Sequence, residues 1–263
     1  MVSIGFVQYS PARHDVAANI AAVQHLVTGA RADLLVLPEL ANCGYMYASP
    51  AELKPFAEPC DGSGPFLSAL RGLAAGVGGT IVAGFAELAP EGLYNSAAAI
   101  DGSGVRGLYR KTHLFWNEVD LFLPGNTGFQ VCNCQGVRLG MMVCFDWYFP
   151  ESARTLMLRG AQIIAHPSNL VLPWCQAAML TRCLENRVYA VTANRYGVET
   201  LGSASLDFTG GSQIVDPHGR RLEQAASTGD AVVFREIDPD LADDKQISPR
   251  NRLFGDRRPE MYA

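Results

Sequence analysis

Three ionisable side chains stand where apolar or alternating stretches of this sequence stop: Glu39 after Leu34–Pro38, Lys111 after Val105–Arg110, and Cys144 after Val137–Val143. A cysteine thiol is mostly protonated at neutral pH, so a nucleophilic cysteine needs a base or a cation beside it. A glutamate can take the thiol proton. A lysine ammonium can hold the negative charge of a tetrahedral intermediate, with the backbone N–H of Phe145 as a second donor. Together the three would perform acyl transfer through a thioester. Cysteine with histidine is the competing arrangement, and His113 and His166 are the histidines in range. His113, two residues past Lys111, reads first as a hydrogen-bonding residue that orients the lysine loop.

The elements that carry these groups can be read from periodicity. Ser3–Tyr9 alternates as a strand, and Asp15 can cap a helix with Val16, Ile20, Val23 and Val27 on one stripe. Ala32–Leu37 is a continuous apolar run, as in a strand covered on both faces, and it stops at Pro38-Glu39. Residues 41–59 read as a loop with a short helix. Gly64-Pro65 opens a further helix that Gly76–Gly79 ends. Strands are expected over Thr80–Glu87, Leu93–Ile100 and Val105–Lys111, the last two joined by the turn Asp101-Gly102-Ser103-Gly104. A loop through Pro124-Gly125 precedes a hairpin of Phe129–Cys134 and Val137–Cys144. Pro150–Leu158 and Trp174–Arg187 read as helices; Ala161–His166, Val188–Asn194, Gly211–Val215 and Asp230–Ile237 read as strands. Cys144 would then lie at a strand-to-helix turn, a place that exposes a nucleophile and frees the next N–H. Arg154 and Arg187 are expected to pair with Glu151 and Glu185.

With 263 residues, 48% hydrophobic and 18% charged, the chain can bury a large core and is expected to form one domain over residues 1–263. The net charge of −5 offers no basic surface for a phosphate backbone, so nucleic acid is not an expected partner. No basic leader and no apolar window of spanning length is seen, so no membrane partner and a cytoplasmic location are expected. The seven cysteines lack a repeating spacing and fit reduced thiols. Strand alternation would put Cys132 and Cys134 on one face, but no second pair completes a tetrahedral site, so no metal is expected.

The segments Leu37-Pro38-Glu39-Leu40, Tyr109–Phe115 and Val143–Glu151 resemble, in order and separation, the three signatures of the nitrilase superfamily of carbon-nitrogen hydrolases. The similarity continues through Gly160-Ala161, His166-Pro167, Leu184–Arg187 and Asp216–Gly219. The resemblance implies an α/β fold, a four-layer α-β-β-α sandwich with two mixed β-sheets. It implies no cofactor and a homodimer or higher homo-oligomer; the polar, turn-rich C-terminal tail, about residues 239–263, is itself expected to pack on a partner subunit. The resemblance assigns Glu39 as general base, Lys111 as stabiliser of the oxyanion, Cys144 as nucleophile and Glu118 as a further glutamate that positions substrate or assists proton transfer. Phe145, Tyr45, Trp116, Trp147 and Asn169 follow the relevant strand ends and are expected to bind the oxyanion or line an acyl pocket.

Branches of the superfamily differ after the cysteine. Here Phe145-Asp146-Trp147 stands in place of the Cys-Trp-Glu of nitrilases proper and resembles archaeal and bacterial aliphatic amidase or nitrilase-like members. An amidase acting on a small amide is therefore expected first, an aliphatic nitrilase second and an N-carbamoyl amine hydrolase third. A catalytically silent binding or scaffold member is the non-enzyme alternative, against which the intact Glu39, Lys111 and Cys144 argue.

Overall fold

The run Leu34-Leu35-Val36-Leu37 divides its side chains between two cores, which accounts for its lack of polar alternation. In the computed structural model, which describes residues 1–262, Leu34 and Val36 face a core shared by two sheets, while Leu35 and Leu37 face a core under helices. Ala263, the last residue of the expected tail, lies outside the described residues.

In chain order the first half comprises β1 (Val2–Gln8), α1 (Val16–Val27), β2 (Leu34–Val36), α2 (Pro50–Leu53), α3 (Pro65–Val77), β3 (Thr80–Ala89), β4 (Gly92–Asp101), β5 (Gly104–Arg110) and α4 (Glu118–Leu121). The second comprises β6 (Val131–Cys134), β7 (Val137–Met141), α5 (Pro150–Leu158), β8 (Ile163–Ser168), α6 (Cys175–Asn186), β9 (Tyr189–Asn194), β10 (Tyr196–Leu201), β11 (Ala204–Thr209), β12 (Gln213–Val215), β13 (Arg221–Gln224) and β14 (Ala231–Ile237). The short pair β15 (Gln246–Ser248) and β16 (Asn251–Arg252) lies in the tail.

Two six-stranded sheets result, ordered β14-β1-β2-β3-β4-β5 and β13-β12-β9-β8-β7-β6. Each is mixed: β1, β2 and β3 are parallel, as are β7, β8 and β9, and the flanking strands are antiparallel. Ile4, Phe6, Val82 and Tyr109 from the first sheet share a core with Leu139, Ile163 and Val191 from the second. The first sheet's opposite face packs on α1 and α3, and α5 and α6 cover the second. This is the four-layer α-β-β-α sandwich. The parallel strands carry the site: β2, β7 and β8 all run toward it and end there, as ligand sites in α/β sheets do.

Several expectations need correction. Glu118 opens the short helix α4 rather than sitting in a loop. β7 ends at Met141, and Cys144 begins a 3-10 turn over Cys144–Tyr148, three residues beyond the strand. The hairpin β10–β11 and the edge strand β13 were not anticipated. Arg154 donates to the backbone carbonyl of Glu185, Arg182 is the residue that pairs with the Glu185 carboxylate, and Arg187 bonds the His218 ring.

Candidate active site

Two close backbone approaches set the first two groups. Glu39 follows β2 in a tight turn in which Leu40 has φ +47°, and Gly84 of β3 lies flat against it. A Cβ on Gly84 would press into the Glu39 backbone and stand 2.9 Å from Leu40 N, so a side chain there would push the carboxylate out of place. Lys111 follows β5, its N–H bonding Asn95 O at 2.8 Å and its carbonyl accepting from Gly125 N at 2.9 Å. A Cβ on Gly125 would stand 2.7 Å from that carbonyl.

Thus fixed, the three charges meet in a site closed to water. Lys111 Nζ donates to Glu39 Oε1 at 2.7 Å and to both oxygens of Glu118, at 2.7 and 2.8 Å. Glu39 and Lys111 have side-chain exposures of 0% and Glu118 of 1%, so all three are taken out of bulk solvent and their desolvation is offset by one another. The Asn95 amide donates to Glu39 Oε1 at 2.7 Å, the Tyr45 hydroxyl to Glu118 Oε1 at 2.6 Å, and the Phe115 N–H to Glu118 Oε2 at 3.1 Å. Glu39 Oε2 is buried without a partner.

Burial alone would push the Lys111 ammonium down, but the Glu118 and Glu39 carboxylates outweigh it and its pKa is raised. Glu118 is raised by burial, with Lys111 opposing and the Glu39 charge adding to the rise. Tyr45 is held well above the usual phenol range by burial and by Glu118, so it stays a donor.

Cys144 has φ +43°, the left-handed region that a side-chain-bearing residue occupies only when its surroundings impose it. Asp146 supplies much of that constraint. Its fully buried carboxylate accepts from Val143 N at 2.9 Å and from the Tyr109 hydroxyl at 2.7 Å on one oxygen, and from His113 N at 3.2 Å and His113 Nδ1 at 2.7 Å on the other. It therefore ties the cysteine turn to the loop that follows Lys111. His166 Nε2 donates to the Cys144 carbonyl at 2.9 Å while Nδ1 accepts from Thr192 Oγ1 at 3.1 Å. Burial pushes His166 down to about 4, so it is neutral. Burial also pushes the Cys144 thiol well above its ordinary range; the Glu39 charge adds, and Lys111 and a backbone hydrogen bond from Asn169 oppose. The thiol is un-ionised and lies within the fields of Glu39, Lys111 and Glu118.

A small, narrow cleft is lined by Cys144 and Asn169. Its other walls are Phe115, Phe145, Trp147, Leu170, Val171 and Leu172, all uncharged. Residues 3–246 match the family model for carbon-nitrogen hydrolases. The chain belongs to the carbon-nitrogen hydrolase family. It is similar to a nitrilase from Pyrococcus abyssi, 42% identical over 100% of this chain and 99% of the relative. It is also similar to an N-carbamoylputrescine amidase from Arabidopsis thaliana, 32% identical over 94% of this chain and 90% of that one. Among solved structures it resembles a variant of the amidase from Nesterenkonia sp. AN1, with a TM-score of 0.79 and 25% identity over 98% of this chain and 94% of that one. That variant shows covalent addition of the acetamide moiety of fluoroacetamide at its active-site cysteine. This protein is thus a hydrolase of carbon–nitrogen bonds in the nitrilase superfamily.

Of the residues expected at the site of this carbon-nitrogen hydrolase, Phe145, Trp147 and Asn169 line the cleft with Cys144. Tyr45 stands behind Glu118 rather than in the cleft wall. Trp116, at φ +50°, is 49% exposed and does not line the cleft, whose wall there is the neighbouring Phe115. Both ring nitrogens of His166 are engaged by groups other than the thiol, and His113 Nδ1 is engaged by Asp146. Sequence reasoning did not single out Asn95, Asp146 as a ligand of four donors, or Phe115. For Asp146 the signal was available, since a carboxylate beside a strand end in an otherwise aromatic segment needs donors. For Asn95, inside β4, none was.

Proposed function

We propose that this hydrolase is an amidase that converts a small, uncharged amide to its carboxylic acid and ammonia through a Cys144 thioester. The observation that carries the reading is a buried carboxylate, bound to the Lys111 ammonium, whose Oε2 has no partner, together with a cysteine that lines the neighbouring cleft. Lys111 and Asn95 occupy Glu39 Oε1, which leaves Oε2 as the lone pair for the thiol proton.

The steps follow from that arrangement. Glu39 takes the Cys144 proton as sulfur attacks the amide carbon. The Phe145 N–H, in the first turn of a helix and so without a partner inside it, and the Lys111 ammonium stabilise the oxyanion. Glu39 returns the proton to the amide nitrogen, ammonia leaves and the thioester forms. Water, deprotonated by Glu39, then attacks the thioester; the acid is released and the thiol regains its proton. Glu118 holds Lys111 between two carboxylates and so fixes the position of its positive charge. The small cleft and its apolar walls favour a short aliphatic acyl group over one bearing a charge.

A second reading, an aliphatic nitrilase, is favoured by the name of the Pyrococcus abyssi relative. A nitrile would pass through a thioimidate and use one more water before the same thioester. A panel of aliphatic amides, dinitriles and N-carbamoyl amines, read out as released ammonia, separates these. Cys144→Ala abolishes release from every active substrate while the far-ultraviolet circular dichroism stays that of the parent. Retained turnover in that variant would sink the covalent reading. We further propose that residues 1–263 act as one domain, in a homodimer or larger assembly seated on the tail. A reducing, cytoplasmic setting suits a protein with a thiol nucleophile and seven free cysteines.

A further inference from the structure

A buried ion pair lies outside the site just described and touches no part of the cleft lining. Arg195, 1% exposed, follows β9, and its guanidinium is paired to Glu199 of β10, 9% exposed. Arg195 Nη2 also donates to Ser10 Oγ at 2.9 Å, and the guanidinium lies over the Phe208 ring at 4.2 Å. A buried ion pair is poor evidence of stabilisation, because desolvation offsets most of its attraction. What Glu199 does with its charge is more specific. Its carboxylate accepts the backbone N–H of Tyr45, at 3.2 and 3.1 Å to its two oxygens, and that of Met46 at 2.8 Å.

The first part of the segment so held is tied elsewhere, Ala41 O to the Tyr9 hydroxyl at 2.7 Å, Asn42 O to Asn19 Nδ2 at 2.9 Å and Cys43 O to His14 N at 3.2 Å, whereas the Tyr45 and Met46 N–H groups are bound by Glu199. Residues 41–48 form no strand or helix, and Gly44 turns with φ +79° where a Cβ would stand 3.0 Å from Glu199 Oε1. Arg13, between β1 and α1, adds a second tie between the segment and β10, donating to Met46 O and to Thr200 O, each at 3.0 Å. The Tyr45 ring then packs edge-on against Phe208 at 5.7 Å, and its hydroxyl reaches Glu118. A continuous path therefore runs from Arg195 through Glu199, the Tyr45 backbone and the Tyr45 hydroxyl to the carboxylate that holds Lys111.

We propose that Glu199, oriented by Arg195, is a positioning residue of the active site: it fixes the Gly44–Met46 backbone so that Tyr45 delivers its hydroxyl to Glu118. The inference rests on the amidase reading only for its consequence in turnover. Its geometric part, protection of the two amides, stands apart from the reaction catalysed.

The test combines exchange and kinetics on the full-length protein. Glu199→Gln keeps shape and one acceptor oxygen. Amide hydrogen exchange of the peptide spanning Tyr45 and Met46 should speed at least about tenfold, with exchange in β1 and β8 unchanged, since a carboxylate bound by charge-assisted hydrogen bonds is lost. For turnover, Glu199→Gln and Tyr45→Phe should each lower kcat about tenfold with little change in KM, and the double variant should be no slower than Tyr45→Phe alone, because both act through one contact. Multiplying losses, roughly a hundredfold in the double variant, would overturn the proposal, as would unchanged exchange at Tyr45 and Met46. If Glu199→Gln does not fold, Glu199→Asp keeps the charge against Arg195 but falls one methylene short of the loop, and the same cycle with Tyr45→Phe decides. Absence of Cys144-dependent turnover in the parent would instead sink the amidase reading, and the exchange arm alone would then decide whether Glu199 holds the loop.

Discussion

Replacing Lys111 by Met keeps an unbranched side chain of similar length and deletes only the cation between two carboxylates. In the native site the ammonium has three contacts of 2.7–2.8 Å to carboxylate oxygens and no solvent exposure. Removing one member of a buried ion pair costs about 3–5 kcal/mol, because the remaining charge stays desolvated. Asn95 and Tyr45 still donate to the carboxylates, which places the loss near the lower end, ~3 kcal/mol at pH 8. At roughly 2–4 °C per kcal/mol for a chain of this size, Tm falls by about 6–12 °C. The pH dependence has a definite sign. Glu118 is already raised by burial with Lys111 opposing, so without the lysine it rises further. A carboxyl raised in the folded state contributes stability that is full below its unfolded value, about 4.3, and is lost as pH climbs through the folded value. The variant's deficit is therefore largest at pH 8 and shrinks toward pH 5, by up to about 1.4 kcal/mol per pH unit. Lys111, itself raised, supports the parent fully below about 10.4 and loses that support above it, so the variant lacks this alkaline decline. Thermal unfolding at a series of pH values reads both limbs, and ammonia release should fall by about 10²–10³ with the loss of the oxyanion donor. A variant that melts within about 2 °C of the parent at every pH would refute the buried-pair reasoning.

Two further outcomes follow from the same contacts. Asp146→Asn must turn an NH₂ toward one pair of the donors that the carboxylate now accepts, so the cysteine turn or the His113 loop loses its anchor; kcat for ammonia release should drop about a hundredfold, and an unchanged kcat would show that the Cys144 turn holds itself. Trp116→Ala should leave kcat/KM within about twofold, as expected of an exposed surface position, and a large rise in KM would return Trp116 to the cleft.

The strand ends that carry Glu39 and Lys111 were legible because each follows an apolar or alternating run, and that signal depends only on which faces are covered. The cysteine turn was legible from Pro150-Glu151, which starts α5, although the 3-10 turn between strand and helix carries no periodicity of its own. The hairpin β10–β11 escaped for a specific reason. Along β10, Val198 points to solvent, 58% exposed, while Glu199 points inward, so the polar alternation is the reverse of what a half-buried strand shows. The same inversion hides α4, where Val119 is 63% exposed and Glu118 is buried.

Both inversions have one cause. Pattern reading assigns charge to the surface because an isolated buried charge is costly, and the assignment fails where the fold supplies the compensating partner. Glu118 is buried because Lys111, Tyr45 and the Phe115 N–H meet it, and Glu199 because Arg195 and two backbone N–H groups do. Lys111, Phe115 and Arg195 lie within seven residues of the carboxylates they meet, but Tyr45 and the Tyr45 and Met46 N–H groups come from a segment far off in the chain, which no local window contains. A strand or helix in which a carboxylate faces in and an aliphatic side chain faces out therefore marks a place where tertiary structure has fixed a charge, and in this protein both such places lead to the same lysine, Glu118 directly and Glu199 through Tyr45.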